Sequence, residues 1–273
     1  MNSIKADTLK VPGATLYYET RGAGPLLLLI AGGAGDAESY NGIANELCGH
    51  YTVVTYDRRG YIRSPLDNPE QLIEIATHSE DVSHLLSTLS HEPAYVFGCS
   101  IGAVIGLDLT VRHSEQVSTL VADEPPLSQF MPDKGQPPNL SAMYQQGGAT
   151  EALRQFAASL GVDTRTPQTN LGLPQKDAEA ARHNKESFFK HDMGAVSRYR
   201  LDVVALMATP TRIVVAGGRE GRAYFPYQCA AALAENIGTP LVEFPGNHAG
   251  FVRYPKEFAQ QLDMLLTVDT SIR

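Results

Sequence analysis

The sequence has no tryptophan, only three cysteines and no long apolar run. Because Cys48, Cys99 and Cys229 are few and scattered, a disulfide framework and a cysteine-based zinc site are excluded. The longest apolar stretch, Leu26 to Ala31, is far shorter than the ~18 residues of a membrane span. No apolar signal core follows Met1, so we expect a cytoplasmic protein.

Basic residues are also scarce, with 22 Lys and Arg against 30 Asp and Glu and a net charge of −8. The acid excess and the lack of a Lys/Arg cluster argue against nucleic acid and anionic membranes as partners. A chain of 273 residues can bury about three-quarters of its unfolded surface, so a full globular core is available. The length allows one or two domains.

Apolar, β-rich runs alternate with helical patterns before residue 126 and again after residue 210. Such runs of Val, Leu and Ile are typical of strands buried on both faces of a parallel sheet. The predicted strands are Thr15–Glu19 (antiparallel), Pro25–Ala31, Tyr51–Tyr56, Ala94–Cys99, Ser118–Ala122, Thr211–Gly217 and Leu241–Phe244. The predicted helices are Gln71–Leu89, Ile101–Arg112, Pro226–Asn236 and Pro255–Leu266. The alternation predicts a doubly wound α/β fold.

The middle of the chain has a different pattern, because the β-rich runs stop between Pro125 and about Pro210. Loop-like stretches rich in Pro, Gly, Gln and Asn separate short helical patterns in this region. The loops are Met131–Asn139 and Gly161–Gln175, and the helical patterns are Ala149–Leu160, Lys176–Phe189 and Val196–Leu206. We therefore predict a core domain of residues 1–125 and 208–273, interrupted by a helical cap domain at residues 126–207.

Ser100 directly follows an apolar strand and precedes a predicted helix. Gly98 and Gly102 complete the pattern G-x-S-x-G, whose small residues are needed where a strand turns sharply into a helix. Such a turn lifts the hydroxyl off the sheet and directs the helix N-terminus at the group under attack. An ordinary glycine-rich turn is the alternative, but the position between strand and helix favours a nucleophile.

A serine hydroxyl needs a base within hydrogen-bond distance to act as a nucleophile at neutral pH. His248 lies between the last predicted strand and the last predicted helix. Loops at the carboxyl ends of parallel strands form the ligand crevice of an open sheet, so His248 can meet Ser100. A buried structural histidine is the alternative. Six other histidines are interpreted as solvated or helix-end residues: His78, His84, His91, His113, His183 and His191.

With Ser100 and His248 in this order, the chain resembles the α/β-hydrolase superfamily over most of its length. The glycine-rich loop Ala31–Gly35 and the stretch Tyr56–Gly60 support the resemblance, although Ala31 stands where members often carry a His. The resemblance implies a mostly parallel eight-stranded sheet with helices on both faces and a helical cap insertion.

The resemblance also implies an oxyanion hole, a pair of backbone N–H groups that bind the negative oxygen of the transition state. Carried over by position, these donors are Gly33 and Ile101, each worth about 3–4 kcal/mol of transition-state stabilisation. Asp57, Arg58 and Arg59 are interpreted as an ion-paired turn without a catalytic step.

The third catalytic group is an acid that orients the histidine, and the superfamily places it after either of two strands. Glu220 follows the strand ending near Gly217, whereas Asp123 and Glu124 follow the strand ending at Ala122. Each of the three can instead be a solvated loop carboxylate.

A narrower resemblance separates these candidates. Gly98–Ala103, together with Glu124 and the proline after it, is similar to the zearalenone-lactonase branch, whose acid is a Glu at this distance beyond the serine. This favours Glu124, with Glu220 as the alternative acid and Asp123 as a third candidate. The branch has a Trp as its large aromatic cap contact, and this chain has no Trp, so specificity for macrolactones does not follow.

These residues predict a serine hydrolase that cleaves a carboxylic ester or lactone of a hydrophobic small molecule through an acyl-enzyme. Such an enzyme requires no metal ion or other cofactor, and its expected partner is the small-molecule substrate; a homodimer is left open. A carbon–carbon bond hydrolase of the same fold and a hydrolase-like ligand receptor with little turnover are the alternatives. We expect the cap to supply apolar side chains, at least half of which form its own core: Phe130, Met131, Met143, Tyr144, Phe188, Phe189 and Met193.

Overall fold

The computed structural model describes residues 3–131, 139–162 and 177–267, and these contain one eight-stranded sheet. The strands are β1 (Lys5–Val11), β2 (Ala14–Arg21), β3 (Leu26–Ile30), β4 (Thr52–Tyr56), β5 (Ala94–Cys99), β6 (Val117–Asp123), β7 (Arg212–Gly218) and β8 (Val242–Phe244). Their order across the sheet is β1-β2-β4-β3-β5-β6-β7-β8. Both pairs that involve β2 are antiparallel, and all other pairs are parallel. The predicted fold class is confirmed.

The helices of the described chain lie between these strands or, for the last two, after β8. They are α1 (Asn41–Leu47), α2 (Ile75–Leu89), α3 (Ile101–Arg112), α4 (Leu140–Ser159), α5 (Ala178–Ser187), α6 (Met193–Arg198), α7 (Val203–Met207), α8 (Phe225–Asn236), α9 (Gly250–Arg253) and α10 (Pro255–Thr267). A turn of π-helix, Phe188–Asp192, joins α5 to α6.

The hydrophobic core lies on both faces of the sheet, as the uninterrupted apolar strands require. In β3 all five residues are buried, with Leu28 and Ile30 in one cluster and Leu27 and Leu29 in the other. Helices α2, α3 and α8 cover the first face, whereas α1 and α10 cover the second. Because the parallel strands end on the same edge, the loops after β3, β5, β6, β7 and β8 meet there.

Strand β1, helix α1 and the short helix α9 (Gly250–Arg253) were not predicted from the sequence. Strand β1 (Lys5–Val11) is mostly exposed at the sheet edge and carries no apolar run, so it lacks the pattern of a buried strand. The short helix α1 (Asn41–Leu47) contains Asn, Gly and Glu among its few apolar residues, which weakens its helical periodicity.

Residues 126–207 lie between β6 and β7 and are here called the inserted segment. They contain helices α4 to α7. Helix α4 starts earlier than predicted and bends at Gly148, whose φ is +72°. The single helix predicted at Val196–Leu206 is interrupted, because residues 199–202 are not helical. The predicted loops lie largely outside the described residues, at positions 132–138 and 163–176. The division into a core domain and a cap domain stays a prediction.

In residues 3–131, 139–162 and 177–267, no helix combines the length and apolar character that crossing a bilayer requires.

Candidate active site

Ser100 lies in a sharp turn between β5 and α3, with φ +56° and ψ −124°. A Cβ atom on Gly98 would lie 2.2 Å from the carbonyl oxygen of Gly102, and one on Gly102 would lie 2.0 Å from that of Ile30. Both positions therefore accept only glycine. The backbone N–H of Ser100 donates to the carbonyl oxygen of Asp123 at 2.9 Å, which ties this turn to the end of β6.

His248 and Glu124 come together at the same edge of the sheet. His248 lies in the turn after β8, and its Nδ1 forms a hydrogen bond with Oε2 of Glu124. The other carboxylate oxygen, Oε1, accepts from the backbone N–H of Gly218 at 2.9 Å. Glu124 is buried, with a side-chain exposure of 2%. Both oxygens of this buried carboxylate therefore form hydrogen bonds. Because Nδ1 of His248 is bonded to Glu124, Nε2 is the ring nitrogen that remains to accept or donate a proton.

The contact between Glu124 and His248 changes the proton affinity of the imidazole. Burial acts to lower the pKa of His248, but the hydrogen bond and the charge of Glu124 outweigh burial and raise the pKa above its usual value. The adjacent Asp123 carboxyl acts in the same direction as Glu124.

The other two candidate acids have different surroundings. Glu220 is exposed, and its backbone N–H donates to the carbonyl oxygen of Gly246 at 2.9 Å. Asp123 is buried, and its Oδ1 has no hydrogen-bond partner. Burial and the neighbouring Glu124 raise the pKa of Asp123 to about 7, although His248 and the Cys99 thiol act in the opposite direction. Of the three carboxylates, Glu124 is the one bonded to His248.

Backbone strain marks two of these residues. Among the described non-glycine residues, positive φ angles occur only at Ser100 (+56°) and Glu124 (+49°). Such conformations are costly for residues with a Cβ and are concentrated at functional sites, where the surrounding structure holds them. Sequence reasoning found both residues but had no signal for the strain at Glu124.

The two predicted oxyanion donors flank the nucleophile turn. Gly33 has φ +45°, and no atom outside its immediate chain neighbours lies within 4 Å of the place where its Cβ would be. A Cβ on the preceding Gly32 would lie 2.8 Å from the carbonyl oxygen of Cys99, so only glycine lets this loop approach the turn. Ile101 is the first residue of α3, and N–H groups of a first helical turn have no partner within the helix.

A cavity of about 490 Å³ opens beside Ser100 and His248. Among the described residues that line it, no Asp, Glu, Lys or Arg occurs, and the inserted segment supplies most of the large apolar side chains. These are Met131, Leu140, Leu153, Phe156, Leu160, Phe188 and Met193. The hydroxyl of Ser128, which also lines the cavity, is buried without a hydrogen-bond partner.

The apolar residues expected from the inserted segment divide between wall and core. Met131, Phe188 and Met193 line the cavity. Four others do not line it, and they pack within the segment or against the main core: Phe130, Met143, Tyr144 and Phe189. Cys99 is buried in the core beneath the turn, and its thiol lies 3.7 Å from the carbonyl oxygen of His248.

The interpretation of His78 as a solvated or helix-end residue is wrong. Its side chain is fully buried on α2, and its Nε2 lies 3.1 Å from Oδ1 of Asp192. Helix α2 contains many polar residues, which hid the burial of this position. His183 is exposed, as expected for a solvated residue, and its Nε2 lies 3.1 Å from the carbonyl oxygen of Gly60.

In the described part of the chain, no group of three or more His, Cys, Asp or Glu side chains is arranged to hold a metal ion. The side chains gathered at the sheet edge are instead a hydroxyl, an imidazole and a carboxylate. This set carries out nucleophilic attack with proton transfer when the three groups are in register.

Comparisons with known proteins concern the family and the fold of the chain. A profile of the α/β-hydrolase fold matches residues 25–198. An uncharacterized hydrolase of Bacillus subtilis (strain 168), YraK, is 41% identical over 96% of this chain and 97% of its own length.

Two further similarities are more distant. A zearalenone hydrolase of Bionectria ochroleuca is 28% identical over 123 residues, which cover 44% of this chain and 47% of that protein. The crystal structure of the enol-lactonase from Burkholderia xenovorans LB400 has a TM-score of 0.75 and 20% identity, covering 96% of this chain and 100% of that one. At that identity the likeness shows the fold alone. Profile and full-length relative together establish that the chain belongs to the α/β-hydrolase family and is a hydrolase.

Proposed function

We propose that this hydrolase is a serine enzyme that cleaves a carboxylic ester or lactone of a hydrophobic small molecule. In this proposal Ser100 is the nucleophile, His248 the general base and acid, and Glu124 the residue that orients His248. The observation that carries it is the hydrogen bond between the buried carboxylate of Glu124 and His248, which lines the same apolar cavity as Ser100. The backbone N–H groups of Gly33 and Ile101 are the proposed oxyanion donors.

The first half of the reaction forms an acyl-enzyme. Ser100 Oγ attacks the carbonyl carbon while His248 Nε2 takes the hydroxyl proton, and Glu124 stabilises the resulting imidazolium. The carbonyl oxygen becomes an oxyanion that Gly33 and Ile101 bind. When the tetrahedral intermediate collapses, the carbon–oxygen bond breaks and His248 returns its proton to the leaving alkoxide.

The second half of the reaction releases the acid. Water attacks the acyl carbon and gives its proton to His248, and the bond to Ser100 Oγ then breaks with return of that proton to the serine. A lactone leaves as a single hydroxy acid, because its alkoxide remains attached to the acyl chain. The raised pKa of His248 supports this cycle, since it makes the imidazole a stronger acceptor for the serine proton.

The proposed substrate class follows from the cavity. Its apolar walls and its lack of charged side chains among the described lining residues suit an uncharged, hydrophobic ester of modest size. Lactone substrates are named for the Burkholderia structure, and a hydrolase of zearalenone is among the relatives, which supports including lactones in the class. We also propose that the inserted segment acts as the cap of this cavity.

A fluorophosphonate probe tests the nucleophile. We expect the probe to label the wild-type protein and not the Ser100→Ala variant, with peptide mapping placing the label on Ser100. In parallel, p-nitrophenyl esters of increasing chain length and aryl lactones report the substrate class by their kcat/KM values. Absence of both labelling and turnover, with tight binding of a hydrophobic ligand retained, would contradict the enzyme and favour a receptor.

A further inference from the structure

A cluster of buried charged and polar side chains takes no part in the proposed reaction. It contacts the glycine-rich loop Ala31–Gly35, here called the oxyanion loop because it contains Gly33. At the centre of the cluster is Arg58, whose side chain is 1% exposed, in the turn after β4. Its Nε donates to Oδ2 of Asp192 at 3.0 Å, and Asp192 is itself fully buried in the π-helical turn of the inserted segment. A buried arginine and a buried carboxylate from distant parts of the chain thus form one ion pair.

The other guanidinium nitrogens of Arg58 bind the oxyanion loop. Nη1 donates to the carbonyl oxygen of Ala31, and Nη2 donates to the carbonyl oxygen of Gly33 and to the hydroxyl of Tyr61. The Tyr61 hydroxyl lies 3.0 Å from the Gly33 oxygen and 3.1 Å from Oδ2 of Asp192. The peptide that carries the Gly33 N–H therefore lies between two backbone carbonyls that Arg58 holds.

The sequence of the loop explains why a restraint from outside the loop is useful. The side chains that supply it, Arg58, Tyr61 and Asp192 together with His78, are here called the clamp. Gly32 and Gly33 form the most flexible kind of dipeptide, and Gly33 has no side chain and no packing at its open side to restrict rotation. An oxyanion donor is effective only if it is oriented before charge develops on the oxygen. If the donor had to reorient during the reaction, the free energy of reorientation would offset the stabilisation of the transition state. A planar guanidinium with several donors in a fixed geometry supplies that restraint.

Asp192 extends the same clamp into the inserted segment. Phe188, at the start of its π-helical turn, and Met193, directly after it, both line the cavity. Oδ1 of Asp192 is 3.1 Å from Nε2 of the buried His78, so the turn is also tied to α2. A single cluster therefore links the orientation of Gly33 with the position of one cavity wall.

We propose that Arg58 and Asp192 are positioning residues that hold the oxyanion donor Gly33 and the Phe188–Met193 wall in register with Ser100. The proposal rests on the proposed function, since it assigns Gly33 to the oxyanion hole. Neither residue touches the substrate; each acts through the backbone and side chains that it binds.

The neighbouring ion pair provides a matched control. Arg59 forms a buried pair with Asp81, and its other hydrogen bond is to the carbonyl oxygen of Pro12, away from the oxyanion loop. Arg58 uses three separate nitrogens in one plane, a geometry that the single nitrogen of a lysine ammonium does not reproduce, so Arg58→Lys disrupts these contacts while it keeps the charge. Arg59→Lys disturbs an equally buried pair without touching the loop.

The test compares both variants well below their melting temperatures. We expect Arg58→Lys to lower kcat roughly 10- to 100-fold with little change in KM, and to weaken binding of a trifluoromethyl ketone far more than binding of the carboxylic acid product. Arg59→Lys should keep kcat within about threefold of wild type. Equal losses of kcat in the two variants, or full activity in Arg58→Lys, would overturn the proposal.

A milder pair of variants covers the case in which Arg58→Lys does not fold. Tyr61→Phe removes only the hydroxyl that contacts the loop, whereas Tyr56→Phe removes a buried hydroxyl that has no hydrogen-bond partner. We expect a several-fold loss of kcat in the first and none in the second; equal kcat values would count against the clamp. Failure of the proposed function would be distinct, because the wild-type protein itself would then neither turn over an ester nor react with a fluorophosphonate.

Discussion

The sheet and the inserted segment contribute to the site by different physical means. The loops at the carboxyl edge of the sheet supply Ser100, Glu124 and His248, and two of these hold strained backbone angles that the rigid strands maintain. The inserted segment supplies cavity walls through a small cluster of side chains around Phe188 and Phe189. We therefore expect changes at the sheet edge to act on kcat, and changes in the segment to act on substrate choice and local stability.

The largest expected effect concerns the acid at the sheet edge. Glu124→Gln keeps the shape of the side chain but removes the charge that stabilises the imidazolium in the proposed mechanism, so kcat/KM should fall about 10³- to 10⁴-fold. Glu220→Gln alters an exposed loop carboxylate and should leave kcat/KM within about twofold. Kinetics with a p-nitrophenyl ester measure both variants, with circular dichroism as the check on folding.

Two outcomes of these kinetics would contradict the assignment of Glu124 as the acid. A large loss in Glu220→Gln with an active Glu124→Gln would move the acid to the end of β7. Near-wild-type rates in both would remove the acid from the mechanism and would leave the contact between Glu124 and His248 a structural one.

The difference between the sheet and the inserted segment also explains which parts of the fold and of the site could be predicted from the sequence. Strands such as β3 and β5 have continuous apolar runs, so their existence and parallel pairing could be predicted. Topology then places Ser100 and His248 on one edge, because the carboxyl ends of parallel strands converge. Glu124 needed the resemblance to a known family, since no local pattern separates it from Glu220.

The clamp around Arg58 could not be predicted from the sequence. Its members lie in a turn, on a helix rich in polar residues and in a π-helical turn, with Arg58 and Asp192 far apart in the chain. Burial of a charge depends on a partner that only tertiary structure supplies, so periodicity gives no sign of it. The one available signal was the pair Arg58–Arg59, which follows Asp57 at the end of the buried strand β4, a position where unpaired charges are costly.

The second prediction uses the buried Asp123 at the sheet edge. Its pKa of about 7 in the folded protein lies above the value of 3.8 for a free carboxyl group. The contribution of protonated Asp123 to stability is therefore fully present below about pH 4 and is lost as the pH rises through about 7. We expect Asp123→Asn to show a flatter dependence of Tm on pH across this window than wild type.

The control for Asp123 is the exposed Glu220, whose Gln variant should keep the wild-type pH profile of Tm. Wild type and Asp123→Asn share every other titrating group, so the difference between their two profiles reports Asp123 together with its effect on His248. Parallel profiles for wild type and Asp123→Asn would mean that Asp123 is already ionised in the folded protein at acidic pH.

The smallest expected effect on the reaction comes from the inserted segment, where Phe188 and Phe189 form a matched pair. Both are buried to a similar degree, at 7% and 6% exposure, and both belong to the same small cluster. Truncation to Ala should destabilise that cluster by ~3 kcal/mol in either case. Only Phe188 lines the cavity, so only Phe188→Ala should shift the preference toward longer acyl chains, by about 10-fold in relative kcat/KM.

Chain-length profiles of p-nitrophenyl esters measure this preference, and thermal unfolding measures the shared loss of stability. Phe189 stacks on Tyr144 with a centroid distance of 4.5 Å, so its loss loosens the segment without opening the cavity directly. If both variants change the profile equally, selectivity depends on the rigidity of the whole segment rather than on its wall. If instead kcat falls sharply for every chain length in Phe188→Ala, the segment affects the chemical step as well as substrate choice. The π-helical turn that contains both Phe188 and Asp192 would then be the physical link between the segment and the sheet edge.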